Sequence, residues 1–486
     1  MTVSQFFSDL GVLLPFTFVV GWATVLLILD MIIPDGKKGN LAWLAALGLV
    51  VGIVLSVLQL GQEATAFLDK VVVDGFATFM NVLFLGIGLV GVALAYDYLK
   101  RMELERGEYY ILLVFSVAGM MLMGSANDLI IVFLALELLS IPLYVLSGIA
   151  RPQAASEEAG IKYFLMGAFA SGFVVYGIAL IFGMTATTSI PGIIAAVGAG
   201  EVLNPLLFAV GGGLILAGLG FKVAVVPFHM WTPDVYEGAP SAVVAFMAAG
   251  AKAAGFAALI RVFVVALPSL SVDLTPVIWI VAALTMILGN VLAIAQRNIK
   301  RMLAYSSIAH AGYILMALVP YGNSQIAPEA VAAAVFYLVA YSLTNFGAWA
   351  VVIALEQKEG RGLNLDDYAG LGGKHLGLAV AMTVFMLSFI GVPPTLGFVG
   401  KFYLFSSVLA GGYVWLAVIG VLTSLVSAYY YLRVVVYMFM RDGDPVVRRD
   451  VWVNLTVGAA AVGLVALTIF ATPLFNWAAG AVFGGY

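Results

Sequence analysis

The stretch Phe221–Ser241 reads FKVAVVPFHMWTPDVYEGAPS. Its lysine, Lys222, follows about seventeen uncharged residues, and Pro227, Pro233 and Pro240 then interrupt the run. Proline removes a backbone donor and crowds the preceding turn, so no regular helix continues through it. An ammonium in a hydrocarbon core costs at least ~3 kcal/mol, and such groups usually mark an ion or proton path. A lysine beside a broken helix at membrane depth therefore points to a carrier. Its alternative is a plain packing kink.

Composition sets the frame around this stretch. The chain has 486 residues, 63% of them hydrophobic and 10% charged. Soluble domains are typically about 25% charged. Such a chain predicts an all-α polytopic membrane protein. A transmembrane barrel is excluded, because its strands would alternate polar and apolar over ~10 residues. The net charge of −4 is spread mostly over short loops, so no nucleic-acid partner is indicated. Cysteine is absent, which removes disulfides and thiolate metal sites.

A spanning helix needs ~20 apolar residues. Fourteen spans are predicted, at about 11–33, 40–60, 75–96, 109–125, 128–149, 161–183, 205–226, 240–265, 274–294, 301–320, 329–355, 376–408, 413–440 and 452–476. With this count Lys37, Lys38, Lys100, Arg101, Arg106, Arg151, Arg297, Lys300, Arg301, Lys358, Arg361, Lys374, Arg441, Arg448 and Arg449 share one face. Lys70 lies opposite, with Arg261 near a helix end. The positive-inside rule puts both termini outside, in a bacterial cell on the periplasmic side of the inner membrane. The longest loop runs from Glu356 to His375, and Ser189–Val197 is a candidate short surface helix. Gly211-Gly212-Gly213 and the Gly218/Gly220 pair allow close helix contact.

A second interrupted span reads SFIGVPPTLGFVGKFYLF from Ser388, with Pro393 and Pro394 at its centre and Lys401 beyond them. Interrupted helices in corresponding positions of two halves point to inverted repeats with a site near the midplane.

Other ionisable residues fall at depth. Glu137 lies nine residues after Asp128, about 14 Å into its span, too deep to reach solvent. Lys222 is its candidate partner. Burial disfavours an ammonium and a neighbouring carboxylate favours it, so opening such a pair would release a proton. Lys252 sits about 18 Å into its helix among Ala251, Ala253, Ala254 and Gly255. Lys401 is about ten residues from the outer end, where partial snorkelling competes with a relay role. Lys162 is near Glu157 and Glu158 and reads equally as an interfacial pair or as a relay group. His310 reads as a proton hand-off group or as a packing hydrogen bonder, with Tyr305, Ser306 and Ser307 offering hydroxyls nearby. His229, past Pro227, is an uptake group or a solvated turn residue, and His375 is a loop residue. No phosphate-binding loop, dinucleotide fingerprint, zinc-protease motif or paired haem ligands occur in the sequence.

FKVAVVPFHMWTPDVYEGAPSAV, RNIKRMLAYSSIAHAGY and GVPPTLGFVGKFYLF resemble motifs of the proton-pumping membrane subunits of respiratory complex I, relatives of multi-component Na⁺/H⁺ antiporter subunits. Within that family, PDVYEGAP together with lysine at 401 is most similar to the subunit N type of NADH:quinone oxidoreductase. The resemblance implies fourteen core helices, inverted repeats of spans 4–8 and 9–13, and broken helices 7 and 12. It divides the chain into 1–108, 109–266, 267–440 and 441–486. It implies a proton relay of Glu137, Lys162, Lys222, Lys252, His310 and Lys401. His229 and Tyr305 are possible supporting residues. Flavin, iron–sulfur clusters and quinone would belong to partner subunits, with no cofactor or metal in this chain. The neighbours expected are subunits M and K. A multi-component Na⁺/H⁺ antiporter or membrane-bound hydrogenase subunit is the alternative, and a scaffold subunit is a second.

Overall fold

The computed structural model describes residues 2–483. Long apolar runs bounded by loop residues fold into helices. The first group is α1 Val3–Val12, α2 Leu14–Ile32, α3 Asn40–Leu58 and α4 Gly75–Arg101. Next come α5 Gly107–Gly124, α6 Leu129–Ser147, α7 Ala154–Thr185, α8 Ile190–Gly198, α9 Pro205–Val223, α10 Trp231–Gly238 and α11 Ser241–Leu259. Then follow α12 Ser271–Ile294, α13 Ile299–Ala317, α14 Ala327–Leu355, α15 Leu371–Lys374, α16 Leu376–Ile390, α17 Leu396–Ala410 and α18 Val414–Met440. The chain continues through α19 Val451–Ile469 and α20 Ala471–Phe483. One small antiparallel hairpin, Ala64–Ala66 with Val71–Val73, lies between α3 and α4.

Twelve of the described helices are long and apolar enough to cross a membrane. The other two predicted spans fall on α13, which carries Lys300 and Arg301 in its first turn, and on the shorter pair α16 and α17. The last predicted span, 452–476, is divided between α19 and α20. Pro473 has no N–H to give to the Ile469 carbonyl, so the helix restarts there. The short helix α8 occupies the place of the candidate surface helix.

Helices α11 and α14 are buried almost throughout and form the centre. Outer helices such as α2, α12, α18 and α19 keep large apolar side chains exposed, as lipid-facing or partner-facing surfaces require. The connection before α6 pairs with the one before α8 through an Asp128–Ser189 bridge. The connection before α13 pairs with the long loop through an Asn298–Asn364 bridge. Asp128 and Asn298 also cap α6 and α13, each accepting from backbone N–H groups of the first turn.

Candidate proton-relay site

The two breaks come first. Helix α9 ends at Val223 with Ala224 in the left-handed region (φ 62°). The chain then passes Pro227 irregularly and re-forms a helix at Trp231. The Val226 amide, free of the helix ladder, donates to Thr285 Oγ1 (2.9 Å), and Trp231 Nε1 donates to Phe221 O (3.0 Å). Helix α16 ends at Ile390 with Gly391 left-handed (φ 88°), and Thr395 caps α17 beyond Pro393 and Pro394. Each break exposes carbonyls that need donors in a region without solvent.

Lysines supply them. Lys252 Nζ donates to Val223 O (3.3 Å), the last carbonyl of α9, and to Ser307 O on α13 (2.7 Å). Lys401 Nζ donates to Ile390 O (2.9 Å), the last carbonyl of α16, and to Ser424 Oγ (2.7 Å). Both side chains are buried. Lys401 thus turns back to the break, where its ammonium holds the freed carbonyl.

Lys222 is buried as well, with Nζ donating to Ser140 Oγ (2.8 Å) and Tyr163 OH (3.1 Å). The direct Glu137–Lys222 pair predicted from sequence is not formed. Glu137 accepts from the Ser171 hydroxyl of α7, while Ser140, one turn further along α6, stands on the ammonium. Glu137 lies one helical turn from Ser140, so its carboxylate stays near the ammonium. The Ser140 hydroxyl accepts from Lys222 and donates to the Leu136 carbonyl, so it ties the ammonium to the backbone of α6.

His310 bonds through Nδ1 to Tyr337 OH (2.7 Å) and through Nε2 to Tyr431 OH (3.1 Å). One nitrogen of a neutral imidazole accepts, so one of these tyrosines donates. Tyr431 also bonds the Ser306 hydroxyl, and Tyr341 OH donates to Ser307 Oγ (2.9 Å). The Lys401 ammonium lies 4.6 Å from the centre of the Tyr313 ring, which is 5.7 Å from that of His310. Ser307, His310 and Tyr313 are successive i, i+3 neighbours, so one stripe of α13 runs from Lys252 to Lys401. Ser306 and Ser307 join this stripe. Tyr305 does not: five residues before His310, it points about 140° away around the helix.

Lys162 is the outlying member. Its side chain is 40% exposed and pairs with Glu158 (2.7 Å) and Asp234 (2.7 Å). Arg301 bridges Asp234 to Glu237, so Lys162 sits within a cluster of ion pairs. His229 is buried, with Nδ1 lacking a partner among the described residues, so it is not a solvated turn residue.

Sequence reasoning missed several groups. Tyr163, Ser140, Ser171, Tyr313, Tyr337, Tyr341, Tyr431 and Ser424 are common residue types in apolar runs, and nothing local singles them out. Lys300, read as a loop charge, is buried: its ammonium donates to Ala239 O (2.7 Å) and stands 4.0 Å from the buried Glu356. Arg261, read as near a helix end, is only 2% exposed. It grips Asp74 through both terminal nitrogens (2.7 and 2.8 Å) and also donates to Gly124 O (2.8 Å from Nη2).

Interrupted helices whose free carbonyls are held by buried lysines, joined by a hydroxyl and imidazole network, define the antiporter-like class of polytopic membrane proteins. The chain belongs to the family described as NADH:quinone oxidoreductase/Mrp antiporter, whose transmembrane model matches residues 126–427. It is 46% identical over 463 residues, 95% of this chain and 93% of the relative, to NADH-quinone oxidoreductase subunit N of Trichlorobacter lovleyi. The subunit N of Chloroflexus aggregans is also 46% identical, over 473 residues and 96% of each chain. A chain in the structure of respiratory complex I from Thermus thermophilus with bound aureothin is 35% identical. That match covers 96% of this chain and 99% of the other, with a TM-score of 0.82.

Proposed function

We propose that this chain is the subunit N type of proton-translocating membrane subunit in an NADH:quinone oxidoreductase. Electron transfer takes place in partner subunits, which hold the flavin, iron–sulfur clusters and quinone. This chain carries protons across the membrane. The single observation that carries the reading is the α13 stripe Ser307, His310 and Tyr313, whose Ser307 carbonyl meets the Lys252 ammonium and whose Tyr313 ring faces Lys401.

In this reading protons are taken up from the charged-loop face. They pass from the Glu137, Ser140 and Lys222 group to Lys252, cross along α13 by His310, and leave through Lys401. Gly255 lets the end of α9 approach the Lys252 helix, since a Cβ there would stand 2.6 Å from Val223 Cγ1. Lysine suits these positions because desolvation and hydrogen bonding to its neighbours decide whether it keeps its proton. His229 serves at the uptake end, and Lys162 tunes the inner surface through Asp234.

The chain divides into helices 1–3 (1–108), two inverted five-helix units (109–266 and 267–440) and a final segment (441–486), with fourteen spans and both termini outside. The duplicated bridges at Asp128 and Asn298 on opposite faces support this division. The complex lies in a bacterial inner membrane, with subunits M and K as neighbours.

The test is alanine replacement of Glu137, Lys222 or Lys252 in the assembled complex, with NADH-driven proton pumping measured in liposomes. Loss of pumping with intact assembly is expected. Unchanged pumping sinks the relay.

A further inference from the structure

The two five-helix units carry an arginine at matching places. Arg261 lies nine residues after Lys252, and Arg433 nine residues after Ser424, the residue that shares the second break with Lys401. Arg261 donates to Gly124 O, at the end of α5, the first helix of its unit. Arg433 donates to Ile294 O (2.8 Å) and Gln296 O (2.6 Å), at the end of α12, the first helix of the other unit. The ends they close lie on opposite faces. The end near Gly124 adjoins the hairpin, and the end near Gln296 adjoins the charged loops.

We propose that Arg261 and Arg433 are proton stops, each sealing the end of its unit through which protons must not pass. The first unit then opens only toward the charged-loop face and the second only toward the opposite face, so the transverse path along α13 is obligatory. The chemistry separates the two residue types. A lysine can surrender its proton when desolvated, whereas a guanidinium does not at any pH a protein meets. A fixed cation also repels an approaching hydronium and breaks the water chain by holding the helix-end carbonyls. Arg261 is locked by the Asp74 carboxylate, which itself caps α4 by accepting from the Ala77 amide (2.7 Å). Just beyond it lies a cavity of about 540 Å³ lined by Glu63, Thr65, Asn127 and the Asp74–Arg261 pair. The guanidinium lines that space, nine residues along the chain from Lys252.

This inference rests on the relay reading above, and the experiment separates the two. The whole complex is reconstituted in liposomes without NADH, and the collapse of an imposed pH gradient is followed. Arg433→Gln, and Arg261→Gln paired with Asp74→Asn so that no carboxylate is left alone, are each expected to speed the collapse several-fold. NADH oxidation should stay at its original rate. Arg261→Lys and Arg433→Lys, which keep the charge but can titrate, are the variants of choice where a glutamine form does not assemble. They are also expected to leak. Adding Lys252→Ala to the Arg261 variant, or Lys401→Ala to the Arg433 variant, should abolish the leak. A leak that persists in these combinations supports the stops and overturns the relay. Assembled arginine variants that hold the gradient like the unmodified complex overturn the stops.

Discussion

Helix α9 stops at Val223 and α16 stops at Ile390, each with a left-handed residue next in line, yet the two breaks are furnished differently. At the first, the free carbonyl is held by Lys252 from the following span, and Lys222 is left to turn toward Ser140 and Tyr163. At the second, Ser424 takes the position of Lys252, donating to Ile390 O (2.9 Å), and Lys401 caps the same carbonyl itself. The first break thus gathers two ammonium groups near a carboxylate. The second holds one ammonium, with His310 and its tyrosines at its side. In the relay reading the first unit, with Glu137 nearby, loads charge, and the second, whose ammonium meets neutral groups among the described residues, discharges.

Breaking the comparison at its strongest point means removing Arg261. Arg261→Met strands the buried Asp74 carboxylate and should destabilise the subunit by about 3–5 kcal/mol. Arg433→Met removes a cation that, among the described residues, bonds the Ile294 and Gln296 carbonyls, and should cost about 1–3 kcal/mol. Thermal unfolding or subunit retention in the purified complex measures both, and equal costs would contradict the asymmetry.

Next in size is the loss of a relay lysine. Lys252→Ala should lower pumping roughly tenfold or more, equivalent to about 1.4 kcal/mol of barrier. Lys252→Arg should not restore it, because arginine holds its proton. Restoration by arginine would show that charge alone suffices.

The turn residues sharpen the contrast at smaller cost. Gly391→Ala should cost about 1–2 kcal/mol from the left-handed backbone, and its Cβ would meet Lys401 Cδ at 2.8 Å, so pumping should fall too. Ala224→Gly relieves the left-handed backbone strain at the first break (φ 62°) and should change stability by no more than about 1 kcal/mol. Denaturation and pumping assays on the pair decide it. Smallest of all, Tyr305→Phe should leave pumping within error, because its hydroxyl lies off the Ser307–His310 face.

Much of this was legible in the chain. Apolar runs of spanning length gave the helices. Prolines placed both breaks, since a missing N–H and a ring clash act locally. Lys222, Lys252 and Lys401 stood out because a charge in an apolar run is costly wherever the run packs. The partners were not legible. Ser140, Tyr163, Tyr337 and Tyr431 come from helices far apart in sequence, and a hydroxyl in a membrane helix has a routine use in bonding its own backbone. The burial of Lys300, and the Arg261–Asp74 pair across 187 residues, depended on how the bundle closes.

The sequence by itself determined that this chain crosses a membrane, where its helices break, and that three lysines lie at depth. Those are consequences of local sterics and of solvation cost, which need no neighbour to operate. Only the tertiary structure decided which carbonyl each lysine holds, that Glu137 turns to Ser171 and not to Lys222, and that α13 joins the two breaks. A hydrogen bond is fixed by distances of about 3 Å between helices, and nothing in the order of residues along one helix sets them.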